Sequence, residues 1–154
     1  MWLLVLIGVA AMIVHAENRY SPPKHAEPYL WLIYNTEKAE NIPHNLLVKL
    51  IETESNFSRS AVNVSSGAAG IAQIVKKWHP TVDPYDPLQA IPYAGHYLRE
   101  NYDRFRDWRK ALAAYNWGPG NLSKAIKEHG RDWLAHAPLE TRNYVEKITL
   151  GVLI

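Results

Sequence analysis

The acids Glu52 and Glu54 close a segment, Pro43 to Glu54, whose apolar residues recur at helical spacing. At about 100° per residue, Leu46, Leu47, Leu50 and Ile51 fill one arc of about 140°, and Glu54 falls near its middle. Glu52 projects to the opposite side, where it is expected to be hydrated. Desolvation disfavours a carboxylate, so Glu54 should hold its proton closer to neutral pH, as a general acid must. A glutamate making an internal ion pair or hydrogen bond at a helix end would occupy the same place, and periodicity does not separate the two readings.

Few other side chains offer competing chemistry. The 154 residues include no cysteine, which removes a disulfide scaffold, a thiolate metal site and a cysteine nucleophile. None of the 7 histidines has the paired helical spacing of a zinc protease, so no metal and no cofactor are expected. Lys and Arg number 17 against 15 Asp and Glu, a net +2 with no concentrated patch, which argues against nucleic acid and tolerates an anionic polymer.

The elements that must position Glu54 read as helices with short connections. With 47% hydrophobic and 21% charged residues, the chain has the balance of one globular domain, expected over residues 29–154. Helices are predicted for Tyr29 to Glu40, Pro43 to Glu54, Pro87 to Asp103, Asp107 to Asn116, Asn121 to Gly130 and Leu139 to Leu150. Pro43 would stand at a first helical position, Asp86 with Gln89 would form a capping box, and Asp107 and Asn121 would open their helices. Pro92 is a candidate kink. Ser58 to Gly70, rich in Ser, Asn and Gly with alternating Val62 and Val64, suits a small hairpin after the Glu54 helix. Before the domain, residues 17–28 read as a proline-bearing linker, and residues 1–16 as a cleaved export signal or an uncleaved apolar anchor. The run from Trp2 to Val14 reaches roughly 20 Å, short of a ~30 Å hydrocarbon core, which favours the signal.

Four motifs in order then fix a resemblance: Glu54-Ser55-Asn56-Phe57, Gly67-Ala68-Ala69-Gly70-Ile71-Ala72-Gln73-Ile74, Ala113-Ala114-Tyr115-Asn116-Trp117-Gly118-Pro119-Gly120, and Glu140-Thr141-Arg142-Asn143-Tyr144-Val145. Together they resemble the soluble lytic transglycosylases over Asn45 to Ile148. The resemblance implies a mainly α, single-domain, goose-lysozyme-like fold. It also implies cleavage of the bond between N-acetylmuramic acid and N-acetylglucosamine in peptidoglycan, leaving a 1,6-anhydro ring. Glu54 matches the family's single acid/base. Gln73, Tyr115, Asn116 and Tyr144 match substrate-binding or carboxyl-facing positions, and Asn63 and Ser65 both compete for the family's loop serine. Trp78 and Trp117 are the tryptophans best placed to stack on sugars, with the others expected in the core.

Three departures from the family pattern stand out. Ala72 replaces a usual methionine beside the glutamine, the loop between Glu54 and Gly67 is one residue longer, and Ala90 and Ala94 replace asparagine and glycine in a helix away from the acid. The expected partner is the peptidoglycan glycan strand. The enzyme is expected to act as an exported monomer in the periplasm or envelope, or to be carried by a virion, with membrane contact only through the amino-terminal apolar segment and association with an envelope-spanning or virion assembly left open. Two rivals remain: a muramidase using water, which needs a second acid or a held water, and a non-catalytic glycan-binding module.

Overall fold

A computed structural model describes residues 20–154; the expected leader and the first residues of the expected linker lie outside the described part. Six α-helices carry the fold among the described residues: α1 (Glu27–Ala39), α2 (Leu46–Ser55), α3 (Pro87–Phe105), α4 (Trp108–Trp117), α5 (Pro119–His129) and α6 (Leu139–Thr149). Three two-residue strands, β1 (Val62–Asn63), β2 (Ala68–Ala69) and β3 (Ile74–Val75), fill the interval between α2 and α3. The architecture is mainly α and matches a lysozyme-like domain.

Helix α4 is the central element, packing on α3, α5 and α6. Its alanines explain that position, because Ala111, Ala113 and Ala114 together with Leu112 are fully buried and small side chains let neighbouring helices approach. Helix α2 lies against α1 and α6, and Leu46, Leu47, Leu50 and Ile51 are all fully buried, as their spacing predicts. Both aspartate caps form: the Asp86 carboxylate accepts from the Leu88 N–H and the Gln89 amide at 3.0 Å each, and Asp107 accepts from the Lys110 N–H at 3.0 Å. Helix α3 runs through Pro92 without interruption.

Several expected boundaries move. Helix α2 starts at Leu46 rather than Pro43, because Asn45 takes a left-handed conformation (φ 70°) and the cap comes from a distant side chain described below. Asn121 does not open α5. Gly118 (φ 90°) alone separates α4 from α5, Pro119 takes the first helical position, and the Asn121 amide donates back to the Trp117 carbonyl at 2.8 Å. The expected hairpin is a three-stranded antiparallel meander in the order β1-β2-β3, pairing Val62 with Ala69 and Ala68 with Val75. Helical structure begins inside the expected linker, with a 3-10 turn at Lys24–Ala26 and Ala26 fully buried. Trp133 is a buried tryptophan, whereas Trp31 is 76% exposed against the expectation that it packs inside.

Gly70 fixes the meander against the turn that leads to α3. Its φ is 74°, and a Cβ built there would stand 1.6 Å from the Pro84 carbonyl oxygen. Gly70→Ala is expected to cost about 2–3 kcal/mol from left-handed strain plus displaced backbone, read as a lower midpoint in urea unfolding.

Candidate functional site

The site is built around the two ends of α2. At its start, Glu37 from α1 is 3% exposed, and its carboxylate accepts the backbone N–H groups of Asn45, Leu47 and Val48 at 3.0, 2.9 and 3.4 Å. Those amides would otherwise be orphaned at a buried helix terminus, where negative charge also meets the positive end of the helix dipole. At its end, the Ser55 hydroxyl donates to the Ile71 carbonyl at 2.6 Å, which ties the last turn to the loop carrying Gln73. Asn56 and Phe57, both with positive φ (50° and 62°), stop the helix immediately afterwards. Glu52 is not simply hydrated as expected: it accepts the Tyr20 hydroxyl at 2.9 Å.

Glu54 is held in the last turn of α2 between these fixed points. Burial pushes its carboxyl up to about 7, the nearby Glu140 carboxylate adds to that, and the Tyr144 hydroxyl opposes both by donating to Glu54 Oε1 at 2.5 Å. The three influences leave a group able to lose and regain a proton near neutrality. Tyr144 and Tyr115 are themselves pushed well above the ordinary tyrosine range by burial and then by Glu54, so each remains a protonated donor. Tyr144→Phe should lower kcat/KM about 10–100-fold by removing one charge-assisted hydrogen bond. The lost donor favours the protonated form of Glu54, so the alkaline limb of the pH profile should also move to higher pH.

A cavity of about 330 Å³ opens over Glu54, bounded by Thr53, Asn63, Gln73, Asn116, Glu140 and Tyr144, with Asn143 and Lys147 at one margin. Gln73 and Asn116 are shared with a second cavity of about 610 Å³ walled by Trp78, His79, Tyr93, Tyr97, Tyr115 and Trp117. Gln73 is not on a helix; it has φ 51° in the turn before β3, and its amide donates to the Gly70 carbonyl at 3.0 Å. The Tyr115 hydroxyl donates to the Ala72 carbonyl at 2.9 Å, which fastens the glutamine turn to α4. Asn116 Oδ1 accepts from the Thr141 hydroxyl at 2.8 Å, which fixes the orientation of its amide.

Of the two loop candidates, Asn63 reaches the Glu54 cavity. Ser65 borders neither cavity, and its hydroxyl donates to Asn63 Oδ1 at 2.7 Å. Asp83 and Asp86 are occupied elsewhere, the first accepting the Tyr85 N–H at 3.0 Å and the second capping α3. The second acid at the Glu54 cavity is Glu140, which sequence reasoning passed over. It passed over Thr53 as well, whose buried hydroxyl oxygen has no hydrogen-bond partner among the described residues, and Thr141, Lys147 and His79. A signal existed for two of these. Glu140, Tyr144 and Lys147 stand at i, i+4 and i+7 on α6, so placing Tyr144 at the site brings the other two with it.

A family profile described as Transglycosylase SLT domain matches residues 32–133, two thirds of the chain. The chain belongs to the transglycosylase SLT domain family. The matched stretch of this SLT domain contains Glu54, Gln73, Tyr115 and Asn116, while Tyr144 lies beyond it on α6. Its relatives include the membrane-bound lytic murein transglycosylase D of Escherichia coli (strain K12), 32% identical over 139 residues, covering 80% of this chain and 30% of that protein. The putative tributyltin chloride resistance protein of Alteromonas sp. (strain M-1) is 31% identical over 111 residues, 66% of this chain and 53% of the relative. The transglycosylase of Enterobacteria phage PRD1 is 32% identical over 102 residues, 56% and 38% of the two chains. The SLT domain thus spans less than two thirds of the length of each of these relatives.

Proposed function

We propose that this SLT domain is a peptidoglycan lytic transglycosylase that cuts the β-1,4 bond between N-acetylmuramic acid and N-acetylglucosamine, with Glu54 as its acid/base. The Glu54 carboxyl carries the reading, since burial raises it to about 7 and Tyr144 holds it in place. Protonated Glu54 gives its proton to the glycosidic oxygen as the C1–O bond breaks and the muramoyl centre becomes oxocarbenium-like. The carboxylate left behind takes the proton of the muramoyl 6-hydroxyl, whose oxygen forms the new bond to C1. Glu54 ends protonated, no water is consumed, and the product is a 1,6-anhydro sugar.

Gln73, Asn116 and Asn63 present amides to the N-acetyl sugar, Tyr115 fixes the glutamine turn, and Ser65 acts by holding Asn63. The cavity walled by Trp78 and Trp117 offers aromatic faces to a longer stretch of glycan. Action on peptidoglycan places the domain in the periplasm or envelope, reached by export or delivered with a virion, working as a monomer. The apolar segment from Trp2 to Val14 would serve the export route, and local wall opening suits phage lysis, a secretion or conjugation apparatus, or wall remodelling.

A second reading draws on Glu140, which borders the same cavity and could activate a water for muramidase-type hydrolysis. Mass spectrometry of muropeptides released from purified peptidoglycan decides between them, run beside Glu54→Gln. Products one water lighter than muramidase fragments, absent with the variant, are expected. Reducing-end products would mean hydrolysis, and no release by the unaltered protein would leave a glycan-binding module.

A further inference from the structure

Gln73 holds a left-handed backbone conformation (φ 51°) that side-chain-bearing residues rarely adopt, and such a residue stays there only where its surroundings hold it. On the amino-terminal side of the turn, the Tyr115 hydroxyl donates to the Ala72 carbonyl at 2.9 Å. On the other side, β3 leads to His79, whose backbone N–H donates back to the Val75 carbonyl at 3.1 Å. The His79 ring then reaches across to α3. Its Nδ1 lies 2.7 Å from the Tyr93 hydroxyl, and it meets the Tyr93 and Tyr97 rings edge-on, with centroids 5.4 and 5.0 Å away. Tyr97 in turn lies against Tyr115, with centroids 5.6 Å apart. Burial pushes the imidazole below its ordinary value, against the opposing influence of Glu100, and raises the Tyr93 hydroxyl, so the pair is an uncharged hydrogen bond near neutrality. This row of rings closes a circuit: it begins at the residue before Gln73 and ends on the segment that follows it.

We propose that His79 is a positioning residue for Gln73, holding the far end of the glutamine turn against α3 through Tyr93 and Tyr97 while Tyr115 holds the near end. Its effect on activity rests on the transglycosylase reading. Freeing the far end lets the turn relax toward a commoner backbone conformation, which draws the Gln73 amide away from the Glu54 cavity that it borders. His79 borders the aromatic cavity and not the Glu54 cavity, so its influence on the reacting sugar runs through the turn. A displacement of even about 1 Å in a group that orients substrate is enough to slow the chemical step.

The test is a double-mutant cycle between His79 and Gln73, read as kcat and KM for release of 1,6-anhydro muropeptides, with amide hydrogen exchange at Gln73 measured alongside. His79→Phe keeps a ring and removes the bond to Tyr93; Tyr93→Phe removes the same bond from the other side with less change of shape. Each should lower kcat about 3–10-fold with KM nearly unchanged, the scale of one neutral hydrogen bond and its ring contact. In a Gln73→Ala background neither should cost anything further, because the group they position is gone. The Gln73 N–H, which donates to the Gly70 carbonyl at 3.2 Å, should exchange about 3–10-fold faster in both single variants. Losses that add in full to that of Gln73→Ala, or a rise in KM alone, would overturn the proposal and make His79 a direct glycan contact. Unchanged exchange at Gln73 would overturn it as well. Failure of the transglycosylase reading looks different: the unaltered protein would yield no 1,6-anhydro products, while exchange at Gln73 would still respond to both variants.

Discussion

Replacing Glu54 with Gln should remove glycan cleavage and at the same time make the protein more stable above neutral pH. The activity loss follows from the role proposed for the acid that Tyr144 holds: a positioned general acid/base contributes about 10²–10⁴-fold, and an amide can neither give nor take the required proton. The stability gain follows from the same burial. In the unfolded chain this carboxyl titrates at its ordinary value of 4.5, and in the fold at about 7. A raised carboxyl binds its proton more tightly in the folded state, so its contribution is fully present below pH 4.5 and is lost as pH rises through 7. The loss amounts to about 3 kcal/mol, or roughly 10 °C in Tm for a domain of this size. Glutamine has the same shape, does not titrate, and can still accept the Tyr144 hydroxyl through its carbonyl. Thermal melts at pH 5 and pH 8 should therefore show the variant gaining on the unaltered protein as pH rises. Equal Tm differences at both pH values would mean that Glu54 is not desolvated as described. The activity profile of the unaltered protein should fall above pH 7, as the acid form of Glu54 is lost.

Glu37→Ala is expected to have the largest effect on folding, although the residue lies at the far end of α2 from the cavity. One carboxylate satisfies three backbone N–H groups at the start of that helix, and its 3% exposure means water cannot take its place without opening the core. Leaving several buried donors unpaired should cost about 3–5 kcal/mol, measured by urea unfolding at pH 7. Glu37→Gln keeps one acceptor oxygen and should lose about half as much. If the alanine variant unfolds like the unaltered protein, the capping role assigned to Glu37 is wrong.

The same residue shows where sequence reasoning reached its limit. Leu46, Leu47, Leu50 and Ile51 announced the buried face of α2 because a 3.6-residue period is a local signal, and Asp86 and Asp107 announced their caps for the same reason. Local pattern places the start of α2 at Pro43, whereas the helix begins at Leu46 because its cap comes from Glu37, eight to eleven residues earlier in the chain and on another helix. Asn121 has the residue type of a cap but lies inside α5, because Gly118 lets that helix begin three residues sooner. At the site, the acid and its amide and tyrosine neighbours were legible through four ordered motifs. Glu140 and Lys147 could be reached only through Tyr144, with which they share a face of α6, and Thr141 had no such signal, since its place beside Asn116 depends on how α6 packs against α4. Asn63 and Ser65 competed for one alignment position; the turn settles them into different tasks, because the serine hydroxyl folds back on the asparagine.

The contact between Tyr20 and Glu52 carries one more consequence. Glu52 lies about 160° around α2 from Glu54, so the first described residue of the chain is fastened to the back of the helix whose front holds the acid. His25 adds a second fastening by bonding Asn56 at 2.9 Å, just past the end of that helix. A pull applied at Tyr20 is therefore passed first to the side of α2 that faces away from Glu54, and one applied at His25 to the turn just past that helix.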